Sequence, residues 1–209
     1  MEGMAMKILI AVPSMDQVPV QFRQSLAMLQ KVGNVALSFQ VSSLIYTARD
    51  ALAKTAIDMG AEYIFWLDSD MVFPPDTLVK MLETMKEKDL DILTGVYFKR
   101  MAPYRPVLYD EMNEDGTVYT EFKDIPDGLF EVGGCGFGCV LMKTSVVIDV
   151  LATHLAMFTP MARAGEDIAF CCRRRSCGYK IIADPSIPLG HVGHRTITRD
   201  FYEALKPQN

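Results

Sequence analysis

YIFWLDSDMVFPPDT, Tyr63 to Thr77, is the stretch whose reading decides the fold. Four apolar residues, Ile64 to Leu67, run straight into two carboxylates one residue apart, Asp68 and Asp70, with Ser69 between them. A short, continuous apolar run fits a strand buried on both faces. Pro74-Pro75-Asp76-Thr77 then opens a helix with Leu78, Met81, Leu82 and Met85 on one side. The two aspartates therefore stand where a strand leaves its sheet.

The same alternation extends to both sides. KILIAV, Lys7 to Val12, is another buried strand, ended by Pro13 and Ser14. Gln21 to Lys31 fits a helix, and Asn34 to Val41 alternates as a second strand. Ser42 and Ser43 are N-cap types ahead of Leu44, Ala48, Leu52 and Ala56, which recur on one helix face until Gly60. Asp91 to Phe98 gives a fourth strand. The first ~100 residues thus read β-α-β-α-β-α-β, the mark of an α/β layer with a mostly parallel sheet.

After residue 100 the pattern changes. Pro106 to Phe122 carries Asp115-Gly116 between two strand-like runs, a hairpin signal. EVGGCGFGCVLMK, Glu131 to Lys143, is a Gly-rich bend and a strand. GEDIAFCCRRRSCG, Gly165 to Gly178, is a helix closed by glycine, its Arg173-Arg174-Arg175 run facing solvent. Tyr179 to Asp184 is a last strand, and a loop-like tail with HVGH, His191 to His194, follows. No repeat or linker divides the chain. Residues 1–209 are expected to form one α/β domain, with a half to residue 100 that carries the βα alternation and the paired aspartates, and a second half of the same sheet beyond it.

Bulk composition narrows the function classes. The 209 residues are 50% hydrophobic, enough for one sizeable core, and carry a net charge of -5. That balance disfavours a nucleic-acid binder, which shows a basic stripe. The longest apolar runs are too short to span a membrane. MEGMAMKILIAVP has no secretory character, so a cytoplasmic location is expected. Five cysteines without zinc-knuckle spacing read as free thiols.

In open α/β sheets, ligands bind beyond the carboxyl ends of the strands. Residues two apart in an extended segment project to the same side, so Asp68 and Asp70 can face one point. Two carboxylates that close repel, and a hard divalent cation, Mn²⁺ or Mg²⁺, removes the repulsion. Capping of the next helix, or solvation of a loop, is the plainer alternative. Lys99, Arg100 and Arg105, with Arg49 of the second helix, are candidates to hold a diphosphate against that cation. The loop Pro13, Ser14 and Asp16 follows the first strand and is placed to touch a nucleoside, beside Ser69. The bend around Gly134 reads as the floor of a pocket or as a plain structural turn, its glycines permitting positive φ and close approach.

YIFWLDSDMVFPPDTLVKML resembles the nucleotide-binding half of GT-A fold glycosyltransferases, family 2-like and of the short, stand-alone kind. AVPSMD, ARDALAKTA, the Gly-rich GGCGFGCVLMK, the GED at a helix start and the terminal H-x-x-H complete the resemblance over most of the chain. It implies a metal-dependent, hexosyl-type transferase that moves a sugar from a UDP- or GDP-type donor to an acceptor hydroxyl. It implies further that Asp68 and Asp70 hold the metal with a third, C-terminal histidine, His191 before His194. In inverting members a carboxylate of the GED acts as general base, here Asp167 with Glu166 next. Two alternatives stand beside it. A nucleotidyltransferase would carry a glycine-rich, basic loop after the first strand, which AVPSMDQVP lacks. A non-catalytic binding domain of the same fold is the other. Donor sugar, base, acceptor, stereochemistry and oligomeric state are not encoded in these motifs.

Overall fold

The computed structural model describes residues 6–113, 119–193 and 196–205. The elements in chain order are β1 (Lys7–Ser14), α1 (Val20–Met28), β2 (Asn34–Val41), α2 (Ile45–Asp58), β3 (Tyr63–Leu67), β4 (Met71–Val72), α3 (Thr77–Glu87) and β5 (Ile92–Gly95). They continue with β6 (Leu108–Met112), β7 (Tyr119–Glu121), β8 (Phe130–Val132), β9 (Gly134–Cys135), β10 (Cys139–Lys143), α4 (Thr144–His154), α5 (Glu166–Ser176), β11 (Ile181–Asp184), β12 (Gly190–His191) and α6 (Arg199–Leu205).

A seven-stranded sheet in the order β2-β1-β3-β10-β5-β11-β8 forms the centre. β2, β1 and β3 run parallel, β5 and β11 run parallel, and β10 is antiparallel to both β3 and β5. β8 is antiparallel to β11. Most strands therefore point one way, as the βα alternation predicts. β10, from the second half of the chain, is inserted between β3 and β5, so the halves interleave.

The continuous apolar strands are explained by two cores. Ile8, Ile10 and Val12 of β1 face one way and join Phe22 of α1 with Leu78, Met81, Leu82 and Met85 of α3. Leu9 and Ala11 face the other way and join Leu52 and Ala56 of α2, Val146, Val147 and Val150 of α4, and Phe170 of α5. A strand with helices on both faces has no polar side to show.

Several boundaries differ from the sequence reading. α2 begins after Leu44, which no side chain caps, while the Ser42 hydroxyl instead accepts from the Leu44 amide at 3.1 Å. α4 was hidden by its β-branched Val146, Val147 and Ile148, which favour strands locally, while burial of Val146, Val147 and Val150 against the sheet fixes the helix here. The tail is not all loop: α6 closes it, with Tyr202 buried against Phe98. β6 and β7 form the expected antiparallel pair, and Asp115-Gly116 lies outside the described residues. Arg174 is buried, donating to the carbonyls of Val132, Gly133 and Tyr179, so that run does not face solvent as a whole. All five cysteines are free thiols.

Behind β3 an aromatic cluster fills the centre of the second core. Phe158 and Phe170 stack at 4.6 Å, and Trp66 meets Phe158 edge-on at 5.2 Å. Replacing Phe158, which is fully buried, by Ala should cost about 3–5 kcal/mol. Phe39→Ala on the exposed edge strand β2 should stay within about 0.5 kcal/mol. Urea denaturation of both variants checks the pair.

Candidate active site

The carboxyl ends of β1 and β3 lie side by side, because Ala11 pairs with Trp66. β3 ends at Leu67, and Asp68, Ser69 and Asp70 form a turn closed by Met71 N donating to Asp68 O at 3.1 Å. The two-residue period of an extended chain no longer applies there. This corrects the expectation that both aspartates face one point by strand alternation: each has its own partners.

Asp68 belongs to Arg49. Arg49 Nη2 donates to Asp68 Oδ1 at 2.8 Å, and Arg49 Nε donates to Glu166 Oε1 at 3.4 Å. The guanidinium is 2% exposed and faces Phe137, with its carbon 5.2 Å from the ring centroid. Burial alone pulls the Arg49 pKa down; Asp68, Glu166 and Asp167 outweigh it and raise the net value. Arg49 was expected to hold a diphosphate. Its burial corrects that, and it stands under the site as a strut between two acidic motifs.

Asp70 belongs to His191 and Arg100. β4 pairs with β12 so that His191 lies opposite Met71, and Val192 N donates to Asp70 O at 2.8 Å. His191 Nε2 stands 3.4 Å from Asp70 Oδ2, and Arg100 Nη1 donates to the same oxygen at 2.9 Å. His191 Nδ1 lies 2.8 Å from the Phe98 carbonyl, which can only accept, so Nδ1 carries a proton. Nε2 and a carboxylate oxygen thus face each other, a contact made favourable by a proton on Nε2 or by a cation beside the pair. Burial raises the Asp70 pKa, but His191 and Arg100 overcome this and lower it.

A divalent ion fits this pair. A metal-bound imidazole typically donates its other N–H to a carbonyl, as His191 does to Phe98. The donor set of carboxylate and imidazole suits Mn²⁺ or Mg²⁺ completed by phosphate and water. Among the described residues no three His, Cys, Asp or Glu side chains cluster closely enough to form a cage by themselves. His194 lies outside the described residues.

Glu166 and Asp167 occupy the first turn of α5, as expected. Asp167 Oδ1 accepts from the Ile168 amide at 2.7 Å. Burial and the neighbouring Glu166 push Asp167 up to about 6, against the downward pull of that hydrogen bond and of Arg49. Its carboxyl therefore changes charge near neutrality.

The remaining expected residues divide. Pro13 and Ser14 are buried inside β1, while Asp16, like Met15 before it, is exposed and open to a ligand. Ser69 is half-buried in the turn. Arg100, Lys99, Tyr97, Tyr104, His191 and Gly193 line an open cleft of about 1090 Å³. Lys99 and Arg105 both bind Glu121, so of the expected basic cluster Arg100 is the one on the aspartate turn. Gly134 is not a pocket floor: a Cβ there would stand 2.3 Å from Met112 Sδ. None of the glycines from Gly133 to Gly138 has a positive φ; their density serves close packing.

Sequence reasoning missed Tyr97. Its ring is buried, and its hydroxyl accepts from Gly138 N at 3.2 Å, while Gly138 O accepts from Asp68 N at 3.1 Å. A Cβ on Gly138 would stand 2.7 Å from Tyr97 Cζ. Burial, with Asp68 and Asp167, holds the Tyr97 phenol far above its ordinary pKa, so it stays neutral. The glycines of the bend were the available signal, because they mark where a large side chain crosses the backbone.

The model of one family, Glycosyl transferase family 2, matches residues 46–151. That span holds the aspartate turn, Arg49, Tyr97 and the Gly-rich bend. A crystal structure of A197 from STIV superposes with a TM-score of 0.65 at 19% identity, over 93% of this chain and 91% of that one. GalNAc-T7, solved with UDP, GalNAc and Mn²⁺, superposes with a TM-score of 0.63 at 8% identity. It is matched over 92% of this chain and 44% of its own length. At these identities the likeness is one of fold. No curated protein matches the sequence significantly.

Tyr97→Phe leaves the buried Gly138 amide unpaired beneath the aspartate turn. It should destabilise the chain by about 1–3 kcal/mol in chemical denaturation.

Proposed function

The chain belongs to glycosyl transferase family 2, and from that premise we propose that it transfers a sugar from a nucleoside-diphosphate donor to an acceptor hydroxyl with the help of Mn²⁺ or Mg²⁺. The observation that carries the reading is His191 Nε2 facing Asp70 Oδ2 at 3.4 Å, with Nδ1 committed to Phe98. Asp70 and His191 would hold the cation, and Asp68 would join them by loosening its pair with Arg49; when bound, the cation neutralises charge on the diphosphate leaving group. Mn²⁺ in GalNAc-T7, a protein of like fold, supports that choice.

The chain's own residues supply the rest. Arg100, released from Asp70, is placed to bind a diphosphate oxygen along the cleft it lines with Lys99. Asp16 and Ser69, at the ends of β1 and β3, border the nucleoside side. Asp167 accepts the acceptor's proton as the hydroxyl attacks the sugar carbon, and Glu166 helps to keep its pKa high enough for that work. No helix among the described residues is long and apolar enough to cross a membrane.

The test is a panel of UDP- and GDP-sugars with Mn²⁺, scored for nucleoside diphosphate release. One donor should stand out. Formation of nucleoside triphosphate and sugar 1-phosphate when pyrophosphate is added would instead indicate nucleotidyl transfer, and metal-independent binding without turnover would indicate a binding domain. Asp70→Ala should abolish both turnover and any Mn²⁺-dependent thermal shift.

The Asp167 carboxyl also sets a pH profile. It is protonated, and useless as a base, below its pKa of about 6. kcat should therefore rise through that pH and level off above it. Asp167→Asn should remove the rising limb and lower kcat by about 10²–10⁴.

A further inference from the structure

Arg49 lies on α2 and is not among the described residues that line the cleft. Its two ionic partners come from motifs far apart in sequence. Asp68 belongs to the turn after β3, and Glu166, 117 positions from Arg49, begins α5. The guanidinium is caged by Phe137, Trp66 and Phe158, with centroid distances of 5.2, 6.0 and 6.0 Å. Its Nη1 is buried with no hydrogen-bond partner among the described residues. Such a charge cannot move to solvent, and it depends on both carboxylates for compensation.

We propose that Arg49 is a positioning residue that shares one caged guanidinium between the aspartate turn and the start of α5, so that whatever engages Asp68 is felt at Glu166. The contact to Asp68 is short, at 2.8 Å, and the contact to Glu166 is long, at 3.4 Å. A cation that draws on Asp68 weakens the first contact. The guanidinium then turns its charge to the second, drawing in the first turn of α5, where Asp167 stands. Coupling of this kind is reciprocal: loss of Glu166 leaves Arg49 wholly to Asp68 and makes Asp68 a poorer cation ligand. The inference rests on the reading of the aspartate turn as a cation site.

The test is a double-mutant cycle on the full chain, with Mn²⁺ affinity read from the electron paramagnetic resonance signal of free Mn²⁺. Glu166→Gln should weaken Mn²⁺ binding about fivefold or more in the Arg49 background and leave it unchanged in Arg49→Met. Equal weakening in both backgrounds would mean that Glu166 acts on the ion through space, and would overturn the proposal. No weakening in either would overturn it too. If Arg49→Met fails to fold by circular dichroism, Arg49→Lys replaces it. A single ammonium lacks the fork that reaches both carboxylates, and coupling that survives it contradicts the proposal.

A second arm needs no metal. Hydrogen exchange of the Ala169 amide, bonded to Gly165 O at 2.9 Å, reports the first turn of α5. Asp68→Asn should slow it about fivefold with Arg49 present and leave it unchanged without Arg49. If the wild-type chain binds no Mn²⁺, the cation reading fails and this arm alone decides the coupling. Equal exchange in all four chains would sink it.

Discussion

A single buried positive charge organises the site. Arg49 lies under the sheet end with its guanidinium walled by aromatic rings, and it is tolerable only because Asp68 and Glu166 both reach it. Removing one partner of a buried pair typically costs about 3–5 kcal/mol, since the other charge is left uncompensated. The turn after β3 and the start of α5 are thereby held to the same point, although they belong to different parts of the chain. The aromatic cage, in turn, is held by the core behind β3. Packing and chemistry meet at this one side chain.

The second half of the chain completes what the first half begins. β10 enters between β3 and β5 and brings the Gly138 carbonyl to the Asp68 amide. β12 pairs with β4 and brings His191 to Asp70. Small residues make these approaches possible. Gly136 and Gly138 let the backbone pass Tyr97, where a Cβ would stand 2.1 Å from its hydroxyl oxygen and 2.7 Å from its Cζ, respectively. Strand pairing thus sets the distance between two groups, Asp70 and His191, that lie 121 positions apart by their numbers.

Much of this was legible in the residues. The continuous apolar runs ending in Ser14, Asp68 and Gly95 mark buried strands, and the alternation of those runs with amphipathic helices marks the α/β layer. Asp68, Asp70, Glu166, Asp167 and His191 were singled out by residue type, position at element ends and the family resemblance, and the fold brings Asp70 to His191 and joins Asp68 to Glu166 through Arg49. What could not be read was which acid meets which base. Arg49 looks like any helical arginine, and its burial follows from the neighbours that only the fold assembles, Phe137 and Phe158 among them. The pairing of Lys99 and Arg105 with Glu121 is of the same kind. α4 was hidden because Val146, Val147 and Ile148 carry strand propensity, which the burial of Val146, Val147 and Val150 overrides. The Gly-rich bend looked like a ligand loop, because glycine density alone does not tell close packing from open space.

The central claim is that Asp70 and His191 are two ligands of one divalent cation, with Arg100 standing in its place when the cation is absent. Anomalous diffraction from crystals grown with Mn²⁺ and a nucleoside diphosphate tests it directly. The account predicts one strong peak in contact with Asp70 and His191, and Arg100 withdrawn from Asp70 onto the diphosphate. A bound diphosphate with no peak at that position, and Arg100 still paired with Asp70, would contradict it.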